Sequence, residues 1–256
     1  MDTLRWDGIS QGRWNLVAAA VQGPSHRLDD TPCQDAFAFS IRDDRLVAVV
    51  SDGAGSAARA AEGSRITADR MVAGLSALTL DPAADGVEAW RPAVERVIED
   101  LRAGLATLSD NGDIADFHAT LVAVVAGPAG GLFIHIGDGM AHAADAALVP
   151  VGHSVPVNGE EANSTYFVTL PFWRETLRLT PFGPFARIIL MTDGPMPFAA
   201  AKKGVGLEPA FMRPVDGFLS SHPVAEGAEA LAGTLDSPDA RRISTDDKTI
   251  LWAALA

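Results

Sequence analysis

Ser51-Asp52-Gly53-Ala54-Gly55-Ser56 is the stretch on which the reading of this chain turns. Upstream lies the strand-like apolar run Leu46-Val47-Ala48-Val49-Val50, and a helix-like stretch begins near Ala57. An acidic side chain therefore sits where a buried strand stops. The glycines beside it, having no Cβ, leave a backbone thin enough to approach a ligand. The arrangement recurs twice. Leu132-Phe133-Ile134-His135-Ile136 runs into Gly137-Asp138-Gly139, and Arg187-Ile188-Ile189-Leu190-Met191 runs into Thr192-Asp193-Gly194. A single Asp-Gly is an ordinary turn former. Three of them, each closing a strongly apolar strand, point to a shared purpose.

Two more acidic positions complete the set. Asp35 opens the run Ala36-Phe37-Ala38-Phe39, and Asp246-Asp247 comes just before Thr249-Ile250-Leu251-Trp252. In an antiparallel sheet the start of one strand lies beside the end of its neighbour. Three strands ending in Asp and two beginning with it can thus line one edge with carboxylates. Such a cluster repels itself unless a cation sits in it, and an all-oxygen site suits a hard divalent ion such as magnesium or manganese.

The bulk properties set limits. The chain has 256 residues, of which 48% are hydrophobic, enough for one large core in a single domain spanning 1–256. A net charge of −13 argues against nucleic acid or an anionic membrane as the main partner. Cys33 is the only cysteine, so no internal disulfide can form, and it reads as a small buried residue in a protein of a reducing compartment. The N-terminus lacks a basic start followed by an apolar core, and no apolar run reaches spanning length. These features predict a soluble, cytoplasmic protein.

Patterning predicts strands at 15–21, from Asp35, from Leu46, and at 117–126, 131–136, 141–144, 147–151, 165–170, 177–179, 186–191 and 249–255. Helices are expected at 57–78, 87–108 and 224–235, with a shorter helical segment at 215–220. In the first helix Ala61, Ala68, Val72, Leu75 and Leu78 share a face that Ser64-Arg65 interrupts; in the second, Val94, Val97, Ile98, Leu101 and Leu105 do. Two long consecutive helices set among strands do not make an alternating parallel pattern. They predict an α+β fold of antiparallel sheets covered by helices.

From about Gly23 to Ala254 these motifs resemble, in order, those of the metal-dependent protein phosphatases of type 2C in their bacterial form. Ser25-His26 with Gln34-Asp35-Ala36 resembles the first motif of the family, and Asp52-Gly53-Ala54-Gly55-Ser56 its Asp-Gly-x-Gly-Gly/Ser loop. Ala119-Thr120-Leu121 resembles its small-Thr-apolar strand start, and Gly137-Asp138-Gly139 its Gly-Asp-Ser/Gly turn. Thr192-Asp193-Gly194 and Asp246-Asp247-Lys248-Thr249 resemble the last two motifs. Residues 159–167 resemble a segment of one bacterial subgroup.

The resemblance implies a four-layer α-β-β-α sandwich of two mainly antiparallel sheets. It implies two divalent ions, Mn2+ or Mg2+, with Asp52 bridging both and the Gly53 carbonyl binding one. Asp193 and Asp246 would hold the other ion, and Asp138 with Asp193 would line a weaker third site. Asp35 would orient metal-bound water, so that the catalytic set is Asp35, Asp52 and Asp193. A water bridging the ions would attack phosphorus directly, with no phospho-enzyme. The substrate would be a phosphorylated protein, the target of a serine/threonine kinase.

Departures from the family pattern leave questions for the structure. Gln34 stands where a Glu is usual, Ala54 where the eukaryotic enzymes carry a His acid, and Asp30 where they carry a phosphate-binding Arg. Arg27 and Arg59 are candidates to replace that Arg, and His26 is a candidate for a site role. Asp246 and Asp247 are both open as the ligand of their motif. His118 and His135 read as packed or hydrogen-bonded residues, and Trp90, Trp173 and Trp252 as core or helix-end anchors. Residues 152–164 and 195–223 are candidate specificity loops. Two rival functions remain: a non-catalytic phosphatase-like binding module, suggested by Gln34 and Ala54, and a hydrolase of small phosphate esters.

Overall fold

Strands that are apolar on both faces require a covering layer on each side. The computed structural model, which describes residues 3–156, 165–201 and 206–255, supplies those layers. The first half contains β1 (Leu4–Gln11), β2 (Trp14–Val21), α1 (Pro24–Leu28), β3 (Asp35–Arg42), β4 (Arg45–Asp52), α2 (Ala60–Ala77) and α3 (Val87–Leu108). Then follow β5 (Leu121–Gly127), β6 (Gly130–Ile136), β7 (Met140–Ala144), β8 (Pro150–Ser154), α4 (Trp173–Thr176), β9 (Arg178–Phe182) and β10 (Arg187–Met191). The chain closes with α5 (Met196–Ala199), α6 (Pro209–Ser221), α7 (Val224–Leu235), α8 (Pro238–Ile243) and β11 (Lys248–Leu255).

One sheet runs β1-β2-β11-β10-β7-β8 and the other β3-β4-β5-β6-β9, with every neighbouring pair antiparallel. Alternation along each strand divides its side chains between layers. Leu46, Ala48 and Val50 of β4 meet Leu251 and Ala253 of β11 in a core between the sheets. Val47 and Val49 point the other way, to Met71 and Leu75 of α2 and Val94 and Ile98 of α3. Ile250 and Trp252 of β11 pack with Leu231 and Leu235 of α7 in a third core. The order is therefore helix, sheet, sheet, helix. Each fully buried Leu, Ile or Val contributes roughly 1.5–3 kcal/mol, whereas an exposed ion pair gives about 0–1, so the three apolar cores hold the layers together.

A two-residue turn fixes the register that matters most. Asp43 (φ 48) and Asp44 (φ 62) adopt left-handed backbone, which Asp tolerates, and join β3 to β4. The resulting ladder runs from Arg42 opposite Arg45 to Asp35 opposite Asp52. A one-residue slip would turn each strand's inward set outward, so burial on both sides locks this register.

Some boundaries differ from the sequence expectation. β1 was not anticipated: it is an edge strand whose face is largely exposed, so it carries no apolar signal. The strand expected from residue 117 begins at Leu121, because Ala115–Phe117 forms a 3-10 turn. Residues 165–170 are not a strand: 165–167 are irregular and 168–170 turn. In α2, Ser64 does not interrupt the buried face but belongs to it, with its hydroxyl donating to the Ala61 carbonyl at 3.2 Å. The Trp residues expected as anchors are all buried: Trp90, Trp173 and Trp252.

Candidate metal centre

Each acidic side chain arrives on a strand end that hydrogen bonds hold in place. Asp52 ends β4, where its N–H donates to Thr120 Oγ1 at 3.0 Å and its carbonyl accepts the Thr120 N–H at 2.8 Å. The Ser51 hydroxyl donates to the Thr120 carbonyl at 2.6 Å. Across the seam between the sheets, the Thr192 hydroxyl donates to Asp35 Oδ2 at 2.7 Å and accepts the Thr249 N–H at 3.0 Å. One threonine thus ties the start of β3 to β10 and β11. The glycines serve close backbone approach here: a Cβ on Gly53 would lie 2.4 Å from the Ala60 carbonyl oxygen, and one on Gly194 1.8 Å from that of Asp247.

These ends converge on an open pocket of about 470 Å³ lined by Asp52, Gly53, Asp138, Asp193 and Asp246, with Gln34 and His26 at its wall. Carboxylate oxygens of Asp52, Asp138 and Asp193 lie within 4.8 Å of one another. Asp138 Oδ2 accepts the Thr165 hydroxyl at 2.5 Å, while its buried Oδ1 has no protein partner. Gln34 Oε1 is likewise buried and unpartnered. Buried acceptors without donors are costly.

The electrostatics point the same way. Burial pushes Asp52 well above the usual carboxylate range, and Asp35, Asp193, Asp246 and Asp138 push it further. Burial, then Asp138 and Asp246, raise Asp193 to about 7. Asp246 is raised, chiefly by burial. Asp35 is raised well above its ordinary value by burial and then by Asp247, against the lowering effect of the Thr192 hydroxyl. Lys248, wholly buried with its Nζ donating to the Asp246 carbonyl at 2.7 Å, offsets part of this charge. A hard divalent cation fits the residues present. The donors are all oxygen, two buried acceptors lack partners, and the mutual repulsion is of the kind a cation removes.

The structure brings together Asp52, Gly53, Asp138, Asp193 and Asp246, all of the expected metal set. Asp35 is buried behind Asp52, directly opposite it in the ladder, and is not part of the lining. The two candidates of the last motif separate cleanly. Asp247 is 2% exposed and accepts the Gly23 and Gln34 N–H groups, both at 2.6 Å, and faces His26 Nδ1 at 2.9 Å. Asp246 faces the pocket. Arg27 pairs with Asp236 at 2.5 Å, and Arg59 pairs with Glu62, donates to the Leu108 carbonyl and lies over Phe117. Neither lines the pocket. His118 and His135 are hydrogen-bonded to Thr169 and Ser154, as their positions suggested. Residues 159–164 of the subgroup segment lie outside the described residues, but Thr165 and Phe167 reach the pocket wall. Sequence reasoning missed the brace made by Thr192 and the structural work of Asp247. The hydroxyl residue immediately before Asp193-Gly194 was the available signal for the first.

The protein phosphatase 2C family model matches residues 22–236. Among solved structures, a bacterial serine phosphatase superposes with a TM-score of 0.67 at 14% identity, covering 94% of this chain and 97% of that one. The serine/threonine phosphatase of S. agalactiae gives 0.64 at 11% identity, covering 99% and 100%. RsbX in complex with magnesium gives 0.59 at 13% identity, covering 98% and 100%. At such identities the likeness is one of fold. No curated protein matches the chain.

Proposed function

The chain belongs to the protein phosphatase 2C family of metal-dependent phosphoprotein phosphatases, and we propose that it hydrolyses phosphoserine or phosphothreonine in proteins modified by a serine/threonine kinase. The observation that carries this reading is the convergence of Asp52, Asp138 and Asp193 oxygens within 4.8 Å on an open pocket. Asp52, the Gly53 carbonyl, Asp193 and Asp246 would hold two Mn2+ or Mg2+ ions, and Asp138 with Asp193 a weaker third. When bound, such ions lower the pKa of a water and offset charge on the phosphoryl oxygens.

The chain's own residues set the stage for that chemistry. Strand ends fix the carboxylates before any ligand arrives, so little reorganisation is needed. Asp35 acts from behind Asp52 as a positioning residue, itself held by Thr192. Gln34 presents an unpaired amide oxygen able to accept a hydrogen bond from water in the pocket. No side chain at the pocket is needed as a covalent nucleophile, and water attacks phosphorus in line. Among the described residues, no helix is long and apolar enough to cross a membrane. We read the chain as one phosphatase domain spanning 1–256, acting in the cytoplasm.

The test is hydrolysis of p-nitrophenyl phosphate and of a phosphothreonine peptide with manganese, with magnesium and with neither, beside folded Asp52→Ala and Asp193→Ala variants. Manganese-dependent turnover that falls by about 10³-fold or more in both variants is expected. Preference for the peptide supports protein substrates. No turnover from folded protein with either ion refutes the reading.

A further inference from the structure

The pocket holds four acidic side chains and, among the described residues, a single basic one, His26. Arg27 and Arg59 are committed elsewhere, and Lys248 is wholly buried against the Asp246 carbonyl, outside the lining. Ala54 stands where a histidine acid would be expected by resemblance. A serine or threonine leaving group departs as a strongly basic alkoxide and gains much from a proton donor.

His26 is built for that role. It lies on α1, and its side chain is 21% exposed, enough to meet a ligand in the pocket without being free in solvent. Its Nδ1 is 2.9 Å from Asp247 Oδ2. The Asp247 carboxylate also receives the Gly23 and Gln34 N–H groups, both at 2.6 Å. A carboxylate has no proton to offer in return, so we assign Nδ1 as its third donor. With Nδ1 committed, Nε2 is the nitrogen left for the pocket. His26 lines the same pocket as Asp246, which puts the ring beside the proposed metal site. A buried Asp that fixes the tautomer and direction of a His is a recurrent device of acid–base catalysis.

Resting on the phosphatase reading above, we propose that His26, oriented by Asp247, is the general acid that protonates the leaving seryl or threonyl oxygen. As the water oxygen bonds to phosphorus, the ester P–O bond breaks and its electron pair passes to the alkoxy oxygen. That oxygen takes the Nε2 proton of the doubly protonated ring. Neutral imidazole remains, with its last proton on Nδ1 facing Asp247, and solvent restores the other. The proton lost by the attacking water passes to solvent, so the cycle balances.

Leaving-group dependence tests this. p-Nitrophenolate departs without a proton near neutral pH, whereas a phosphothreonine peptide needs one. His26→Gln and His26→Ala should cut kcat on the peptide by about 10²–10⁴-fold and leave p-nitrophenyl phosphate within a few-fold. Added imidazole should restore peptide turnover in His26→Ala. Manganese binding measured by calorimetry should match wild type. In the metal-free protein, imidazole ¹H–¹⁵N spectra should place the proton of the neutral ring on Nδ1. Equal losses on both substrates, a rise in KM alone, or a proton on Nε2 of the neutral ring would overturn the assignment while leaving the phosphatase reading intact. A wild-type protein inactive on both substrates would overturn both.

Discussion

Replacing Asp193 by Asn should stabilise the metal-free protein, although it removes a proposed metal ligand. Asp193 titrates at about 7 in the fold against 3.8 for the unperturbed group, because burial and the charges of Asp138 and Asp246 oppose its ionisation. A carboxyl whose pKa is raised by folding binds its proton more tightly in the folded state. Its contribution is fully present below pH 3.8 and is lost as pH rises through about 7. A rise from 3.8 to about 7 corresponds to about 4 kcal/mol above pH 7 and about 2 kcal/mol at pH 5. Asn keeps the shape and removes the charge, and it also relieves Asp52, which Asp193 pushes upward. Urea denaturation in EDTA, followed by tryptophan fluorescence, should therefore find Asp193→Asn more stable than wild type at pH 8. The gain should be up to about 4 kcal/mol, and the gap should close as pH falls toward 4. With manganese at about 100 times its Kd, wild type should gain about 2.7 kcal/mol and the variant much less. A variant less stable than wild type in EDTA at pH 8, or a gap that ignores pH, would refute the view that mutual repulsion burdens the empty site.

Two substitutions test the assignments nearby. Asp247→Ala strips the acceptor from two buried N–H groups and from His26, and should cost about 3 kcal/mol in EDTA by urea denaturation. Asp246→Ala should leave that stability within about 1 kcal/mol while weakening manganese binding in a calorimetric titration. At the far layer, Arg187 Nε donates to Asp216 Oδ1 at 2.6 Å, and the same oxygen accepts Trp252 Nε1 at 2.9 Å. Arg187→Ala leaves that largely buried carboxylate without its cation and should cost about 3 kcal/mol, whereas Arg242→Ala, at an exposed pair, should change stability by less than about 0.5.

Much of the molecule could be read from residues whose local pattern and global role agree. β4, β5 and β11 are apolar on both faces because each lies between two layers, and α3 and α7 match the expected ranges because their apolar faces and flanking breakers coincide. The four carboxylates that line the pocket were legible because strand ends carry them and the antiparallel order gathers strand ends, while Gly53 was expected only through the family resemblance. What escaped was carried by other physics. β1 exposes most of its face and belongs to the sheet through backbone hydrogen bonds, to which composition is blind. α2 packs through Gly63, Ser64 and Thr67, small residues whose value is proximity rather than hydrophobicity. Asp246 and Asp247 differ only in the direction each side chain takes, and no property of the pair Asp-Asp records that. His26 was a candidate for a site role because it lies close to the first motif, but its pairing with Asp247, 221 residues away, has no trace in the sequence.

β11 is synthesised long after β2 and after β10, yet it lies between them in the sheet. While the chain is still being made, the β1-β2 hairpin has no partner on its inner side, and its sheet exists as two fragments with bare edges. Translation must run to residue 255 before those fragments are joined. The same terminal segment delivers Asp246 to the pocket and the Asp247 carboxylate to Gly23, Gln34 and His26. A chain cut short before Asp246 therefore loses the middle of a sheet and one wall of the pocket together. The topology makes both the closed sheet and the pocket conditional on the one segment that runs from Asp246 through β11.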